Sequence, residues 1–145
     1  MVEIELIDKI IKIPANKETL VVHDSNPEDF FIKIPKKLLT TKIENSSVFL
    51  LSQLNENESS IELLELFFDD DEYAMYKWTI GNNYTYQEGK LTIQIKIVRN
   101  KSNETEEEIE DIDPSMLVPI GNDSEGVWYS YQNSFKITKV LNVLL

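Results

Sequence analysis

Carboxylates are the only abundant catalytic material in this chain, which carries 26 Asp and Glu against 14 Lys and Arg. They concentrate in two runs, Asp69-Asp70-Asp71-Glu72 and Glu104 to Asp113. Calcium takes oxygen ligands from flexible loops, but a calcium loop spaces those ligands and adds a glycine for the turn. The first run has neither feature and reads as a solvated turn; the second reads as a solvated loop. Glycoside hydrolysis needs two carboxyl groups at a set separation, and nothing in the sequence fixes a separation between any two of them. His23 is the one histidine. Placed beside Val21 and Val22 and just before a turn, it reads as a polar strand-end residue rather than a general base. The chain has no cysteine, so disulfides, thiolate metal sites and a cysteine nucleophile are excluded. The glycine-rich, phosphate-loop, nucleophile-elbow and zinc-helix motifs are absent as well. The expectation is a protein with no catalytic residue, no metal site and no cofactor.

Charge narrows the partners. A net charge of −12 and a single arginine, Arg99, argue against a nucleic-acid partner, because phosphate binding rests on Lys and Arg releasing counterions. An acidic chain can instead imitate DNA, although most acidic domains are simply soluble. No apolar run is long enough to span a bilayer, and the start M-V-E-I-E-L lacks the basic opening of a signal peptide. Neither a membrane nor secretion is expected. The N-x-[ST] matches at Asn45, Asn57, Asn83, Asn103 and Asn122 are therefore discounted as glycosylation sites.

The elements that would position any site are short strands. The stretch from Tyr76 to Val98 organises the chain. Leu91, Ile93, Ile95 and Ile97 alternate with Thr92, Gln94 and Lys96, while Tyr76, Trp78 and Ile80 alternate upstream, and Gly81 and Gly89 bracket a polar connection, so the two strands read as a central pair that needs a second apolar surface to cover it. The apolar set should be buried with Trp78, and Thr92, Gln94 and Lys96 exposed. Val2, Ile4 and Leu6 predict a first strand, and Ile11 and Ile13 a second apolar piece stopped by Pro14. Thr19 to Val22 and Phe30 to Ile34 predict a pair joined by D-S-N-P-E-D and ended by Pro35. Val48 to Leu54 is a further strand. In Ile61 to Phe68, residues Ile61, Leu64 and Phe68 suit a helix face, whereas Leu64, Leu66 and Phe68 suit a strand; the neighbouring strands favour the latter. Val127 to Tyr131 and Phe135 to Val143 close the chain. With 145 residues, 41% hydrophobic, the chain reads as one domain, residues 1–145. The fold expected is all-β, an antiparallel two-sheet β-sandwich of jelly-roll or immunoglobulin-like type with one long acidic loop.

Six aromatic residues, Trp78, Tyr84, Tyr86, Trp128, Tyr129 and Tyr131, could line a sugar-binding face. Large aromatics also anchor sandwich cores, and both tryptophans are assigned to the core. Tyr84 and Tyr86, in the loop with the Asn82-Asn83 tip, are expected to be exposed. The end V-L-N-V-L-L either completes a sheet or is covered by a partner. If the C-terminal strand is outermost, a partner strand would bury it. The expected interaction surface is thus Tyr84, Tyr86, Asn82 and Asn83, with Val140, Leu141, Val143, Leu144 and Leu145.

Four pieces occur in a familiar order: V-V-H-D-S-N-P-E-D-F-F-I-K-I-P (Val21–Pro35), D-D-D-E-Y-A-M-Y-K-W-T-I (Asp69–Ile80), E-G-K-L-T-I-Q-I-K-I (Glu88–Ile97) and V-W-Y-S-Y-Q-N-S-F-K-I (Val127–Ile137). The ordered set resembles the N-terminal domain of upper baseplate proteins and related tail structural modules in phages and prophages of low-GC Gram-positive bacteria. That resemblance implies a β-sandwich that is a virion building block, made in the host cytoplasm and carrying no enzymatic step. It implies other tail and baseplate proteins as partners, and a homo-oligomer. Longer relatives carry a coiled coil or receptor-binding part after this domain, so host recognition is not expected of a chain ending at Leu145. The rival from another class is a carbohydrate-binding module for a bacterial cell-wall glycan; a third is a glycosidase-like enzyme using paired carboxylates.

Overall fold

Alternation becomes strand along most of the described residues in the computed structural model, which describes residues 2–22, 28–39, 46–99, 118–119 and 127–139. In chain order the strands are β1 (Val2–Ile7), β2 (Ile10–Lys12), β3 (Thr19–Val21), β4 (Glu28–Pro35), β5 (Ser46–Leu54) and β6 (Ser60–Leu63). They continue with β7 (Glu65–Asp69), β8 (Tyr73–Ile80), β9 (Gly89–Arg99), β10 (Val118–Pro119), β11 (Val127–Tyr129) and β12 (Asn133–Thr138). The only helical pieces among the described residues are single 3-10 turns at Ala15–Lys17 and Lys36–Leu38, each entered from a proline, Pro14 and Pro35.

Two sheets form, one ordered β2-β1-β4-β8-β7 and the other β3-β12-β9-β5-β6, with β10 and β11 also on β9. They pack face to face as an all-β two-sheet sandwich. Ile4, Phe30, Ile32, Ile34, Tyr76 and Trp78 come from one inner face; Val48, Leu50, Ile93, Ile95, Ile97 and Phe135 come from the other. Each fully buried branched side chain contributes about 2 kcal/mol relative to exposure. The centre is aromatic: Trp78 meets Phe30 at 6.0 Å, Phe135 at 5.9 Å and Tyr84 at 5.2 Å between ring centroids. These spacings are those of favourable edge and tilted ring contacts.

The apolar set Leu91, Ile93, Ile95 and Ile97 is buried with Trp78, as the period-2 pattern requires. Its strand partners differ from the expectation. β8 and β9 are not neighbours; they lie in opposite sheets and face each other across the core. Nor do β3 and β4 pair: β3 joins β12, and β4 lies between β1 and β8. Both β1–β4 and β3–β12 run parallel, so the sheets are mixed rather than purely antiparallel. The segment 61–68 is strand, but it breaks at Leu64. That residue is buried, and its N–H donates to the Val48 carbonyl at 2.8 Å, which ties the crossing between sheets to β5.

Three further expectations change. Thr92, Gln94 and Lys96 are half-buried rather than exposed. Gln94 Nε2 donates to the Ser130 carbonyl at 2.8 Å, and the Lys96 ammonium sits 6.0 Å from the Phe49 ring and 5.7 Å from Tyr129; long stems cover apolar surface while keeping their heads wet. Trp128 is half-buried, packed against the core rather than inside it. The described part of the C-terminal strand is not outermost: β12 lies between β9 and β3, with Lys136 to Thr138 paired to β3. The acidic stretch Glu104 to Asp113, His23, and Val140, Leu141, Val143, Leu144 and Leu145 lie outside the described residues.

Candidate functional site

The connection 81–88 is fixed at both ends. At its start the Tyr84 N–H donates to the Gly81 carbonyl at 3.0 Å, closing a tight turn. At its end Asn55, itself in the left-handed region at φ 54°, clamps the chain. Asn55 Nδ2 donates to the Glu88 carbonyl at 2.9 Å, and its Oδ1 accepts from the Lys90 N–H at 2.9 Å. Gly89 is required there: its φ is +137°, and a Cβ would stand 1.9 Å from Asn55 Oδ1.

This turn sends Tyr84 inward, contrary to the expectation that it is exposed. The ring is 7% exposed and edge-on to Trp78, and the hydroxyl donates to the Glu62 carboxylate in β6. Burial, and then the hydrogen bond to Glu62, push the Tyr84 phenol well above its ordinary range. Tyr86 is exposed as expected, and its hydroxyl accepts from Asn57 Nδ2 at 3.2 Å. Asn82 and Asn83 are exposed in the same turn. Tyr84, Tyr86 and Asn83 converge with Ser52, Glu58 and Glu62 around a cleft of about 370 Å³. Its chemistry is that of hydrogen-bonding groups beside one exposed ring, and among the described residues no Lys or Arg lines it.

The acidic turn is structural. Asp69 pairs with the Lys36 ammonium at 2.7 Å. Asp70 Oδ1 accepts the N–H groups of Glu72 and Tyr73, each at 2.8 Å. These two bonds, Tyr73 first, hold the Asp70 carboxyl below its ordinary range, while the bond to Asp69 raises Lys36. Among the described residues no group of three or more His, Asp or Glu is arranged to hold a metal ion.

The larger feature lies where the chain crosses between sheets. β6 and β7 are the edge strands of the two sheets on this side. Between them they expose Ile61 at 57%, Leu63 at 53%, Leu66 at 41%, Phe67 at 52% and Phe68 at 53%. The pairing of β7 with β8 slips between Leu66 and Phe68, a bulge centred on Phe67. Phe67 lies 4.6 Å from Phe31, whose neighbours Phe30 and Ile32 point into the core, so the pair covers the outer face of that sheet. Around these side chains stand the exposed carboxylates Glu56, Glu58, Glu65 and Asp69 to Glu72, and the sequence from 43 to 76 contains no Lys or Arg. This surface was not among the expected site residues. Its signal is the run L-L-E-L-F-F, whose adjacent phenylalanines cannot both face a core from a regular strand.

Compared with known proteins, the sequence matches no family model and no curated protein. The functional reading therefore rests on this geometry and on the sequence resemblance.

Proposed function

We propose that this protein is a non-catalytic structural module that docks neighbouring subunits, in the setting of a phage or prophage tail or baseplate. The observation that carries the docking reading is the β6–β7 side, where five large apolar side chains stand about half exposed on adjacent edge strands. Large apolar side chains left exposed together along neighbouring sheet edges mark an interaction site. The setting comes from the resemblance of the four sequence pieces, which also suggests other tail proteins as partners, a homo-oligomer and a place in the virion. Co-expression with tail and baseplate proteins of phages of low-GC Gram-positive bacteria, followed by cross-linking and light scattering, tests the reading. A stable complex cross-linked through β6 or β7 supports it. A chain that stays monomeric and uncross-linked beside every tail protein overturns it, as does robust hydrolysis of a glycan, ester or peptide that one Asp or Glu substitution abolishes.

A second reading has its own observation. Asn57 holds the exposed Tyr86 ring at the mouth of the cleft containing Glu58, Glu62 and Asn83. A fixed ring beside hydrogen-bonding groups is the equipment of a carbohydrate-binding module, here for a bacterial cell-wall glycan. Titration with cell-wall saccharides tests it: binding lost in Tyr86→Ala favours this reading, and no binding removes it.

A further inference from the structure

We infer that the β6–β7 side receives a partner protein whose contact surface is apolar and rimmed by lysine and arginine. The inference rests on the docking reading above and names the chemistry of the partner. Two properties of the side decide it. The first is apolar area at edges of unequal accessibility. β6 has only four residues and β7 is interrupted by the bulge at Phe67, two devices that blunt indiscriminate strand addition. Contact therefore runs mainly through the side chains Ile61, Leu63, Leu66, Phe67 and Phe68.

The second property is the sign of the rim. Eight carboxylates occur between residues 55 and 72, namely Glu56, Glu58, Glu62, Glu65, Asp69, Asp70, Asp71 and Glu72. Among the described residues, two have side-chain hydrogen-bond or ion-pair partners: Glu62 accepts from Tyr84, and Asp69 pairs with Lys36. Cations lie near part of this rim: Lys36 faces Asp70 and Asp71 as well as Asp69, Lys33 faces Asp70, and Lys77 is the cross-strand partner of Glu65. Lys77 approaches Asp29 at 3.7 Å, and Lys33 lies 4.2 Å from the Tyr73 ring. The carboxylates outnumber these lysines, so the apolar side chains are framed by a net excess of negative charge. A second copy presenting the same side would bring two acidic rims together, and like charges across an interface oppose association. A basic rim turns the same charges into steering and register.

The experiment uses the full chain and two labelled synthetic peptides with identical alternating valine and phenylalanine residues. One is interleaved with lysine and the other with glutamate. Binding is read by fluorescence anisotropy at low and raised salt, with light scattering on the protein alone. The expected result is binding of the lysine peptide, at least about tenfold weaker at raised salt, with no binding of the glutamate peptide. Leu63→Ser and Phe68→Ser should each weaken it about tenfold. Glu65→Lys combined with Asp71→Lys, at exposed positions, should remove the discrimination while the melting temperature holds. Equal binding of both peptides overturns the inference and leaves the docking reading standing. Concentration-dependent self-association that Phe68→Ser abolishes makes a second copy the occupant; the inference falls while assembly survives. No binding of either peptide by a monomeric protein overturns both.

Discussion

The two sides of the sandwich are built differently. On the side of β2 and β3, the sheets are laced by backbone. The Tyr131 N–H donates to the Lys9 carbonyl at 2.7 Å, and Asn133 Nδ2 donates to the Ile11 carbonyl at 2.7 Å. Further bonds, Lys136 N–H to the Glu18 carbonyl and Val22 N–H to the Thr138 carbonyl, hold β3 against β12 at 2.8 Å each. Lys9, Lys12 and Lys17 lie along this side. On the side of β6 and β7, the sheets are joined by the covalent crossing at Leu64 and by the Tyr84–Glu62 hydrogen bond. A sandwich whose edges are both obligatory for folding would lace both. Here one side, although it also exposes Ile7, Ile10 and Val21, is closed by the chain's own polar groups, and the other lacks that lacing and exposes five apolar groups that include two phenylalanines.

The largest effect expected is one that erases the comparison by removing the core both sides share. Ile95 is fully buried at the centre of β9, with its N–H donating to the Ser130 hydroxyl at 2.9 Å. Ile95→Asp should leave no cooperative thermal transition, because an unpaired buried charge costs several kcal/mol, comparable to a domain's whole margin. A melting temperature unchanged in circular dichroism would contradict the packing described.

Alkaline pH should act on the open side. Burial, with the nearby Asp69 charge second, pushes the Tyr76 phenol up to about 12, and Tyr84 is raised as well. Tyr76 pairs with Leu66 of β7, and Tyr84 with Glu62 of β6. The folded phenols hold their protons more tightly than the unfolded ones, so their stabilisation is complete below about pH 10 and is lost as pH rises through the folded values. For Tyr76 a shift of this size corresponds to about 2–3 kcal/mol. Denaturant midpoints should therefore fall from about pH 10 upward, and Tyr84→Phe should flatten that fall. A slope unaffected by the substitution would show that Tyr84 does not couple the loop to β6.

On the closed side, Asn133→Ala removes a donor from a half-buried carbonyl. It should cost about 1–2 kcal/mol, read as a lower denaturant midpoint with an unchanged slope. A cost within about 0.5 kcal/mol, the ordinary range for surface changes, would mean the lacing there is incidental.

Much of this architecture was legible from alternation, and the unread parts share a physical cause. Parity states which residues share a face, so Leu91 to Ile97 and Trp78 were placed in the core correctly. It does not say which strand lies alongside. The hairpins expected for β8–β9 and β3–β4 dissolve into opposite sheets, and the parallel pairings of β1 with β4 and of β3 with β12 leave no local trace. Tyr84 and Tyr86 look equivalent in Y-T-Y, but the turn from Gly81 to Tyr84 sends one ring into the core and leaves the other outside. The interaction surface was sought at the C-terminal strand because that run is apolar. The residues of that run from Val140 to Leu145 lie outside the described residues, and the apolar edge that is described forms where the acidic segment after β5 crosses between sheets.

The smallest stability effect should come from the open side, and its smallness is what makes it informative. Phe68 is half exposed, opposite Met75 just after the bulge, and it has none of the ring contacts that tie Phe67 to Phe31. Phe68→Ser should therefore change unfolding free energy by no more than about 0.5 kcal/mol, as for surface positions generally. A residue retained for folding would behave like Ile95, and one retained for lacing like Asn133. A residue retained for docking keeps stability and changes solubility and association instead. Parallel measurement of midpoint and light scattering on Phe68→Ser and Phe67→Ser separates these cases. Phe67→Ser should cost more, by about 1 kcal/mol, since it also uncovers Phe31. If Phe68→Ser proves as costly as Asn133→Ala, the two sides are equally obligatory to the fold, and the contrast between a laced side and a docking side fails.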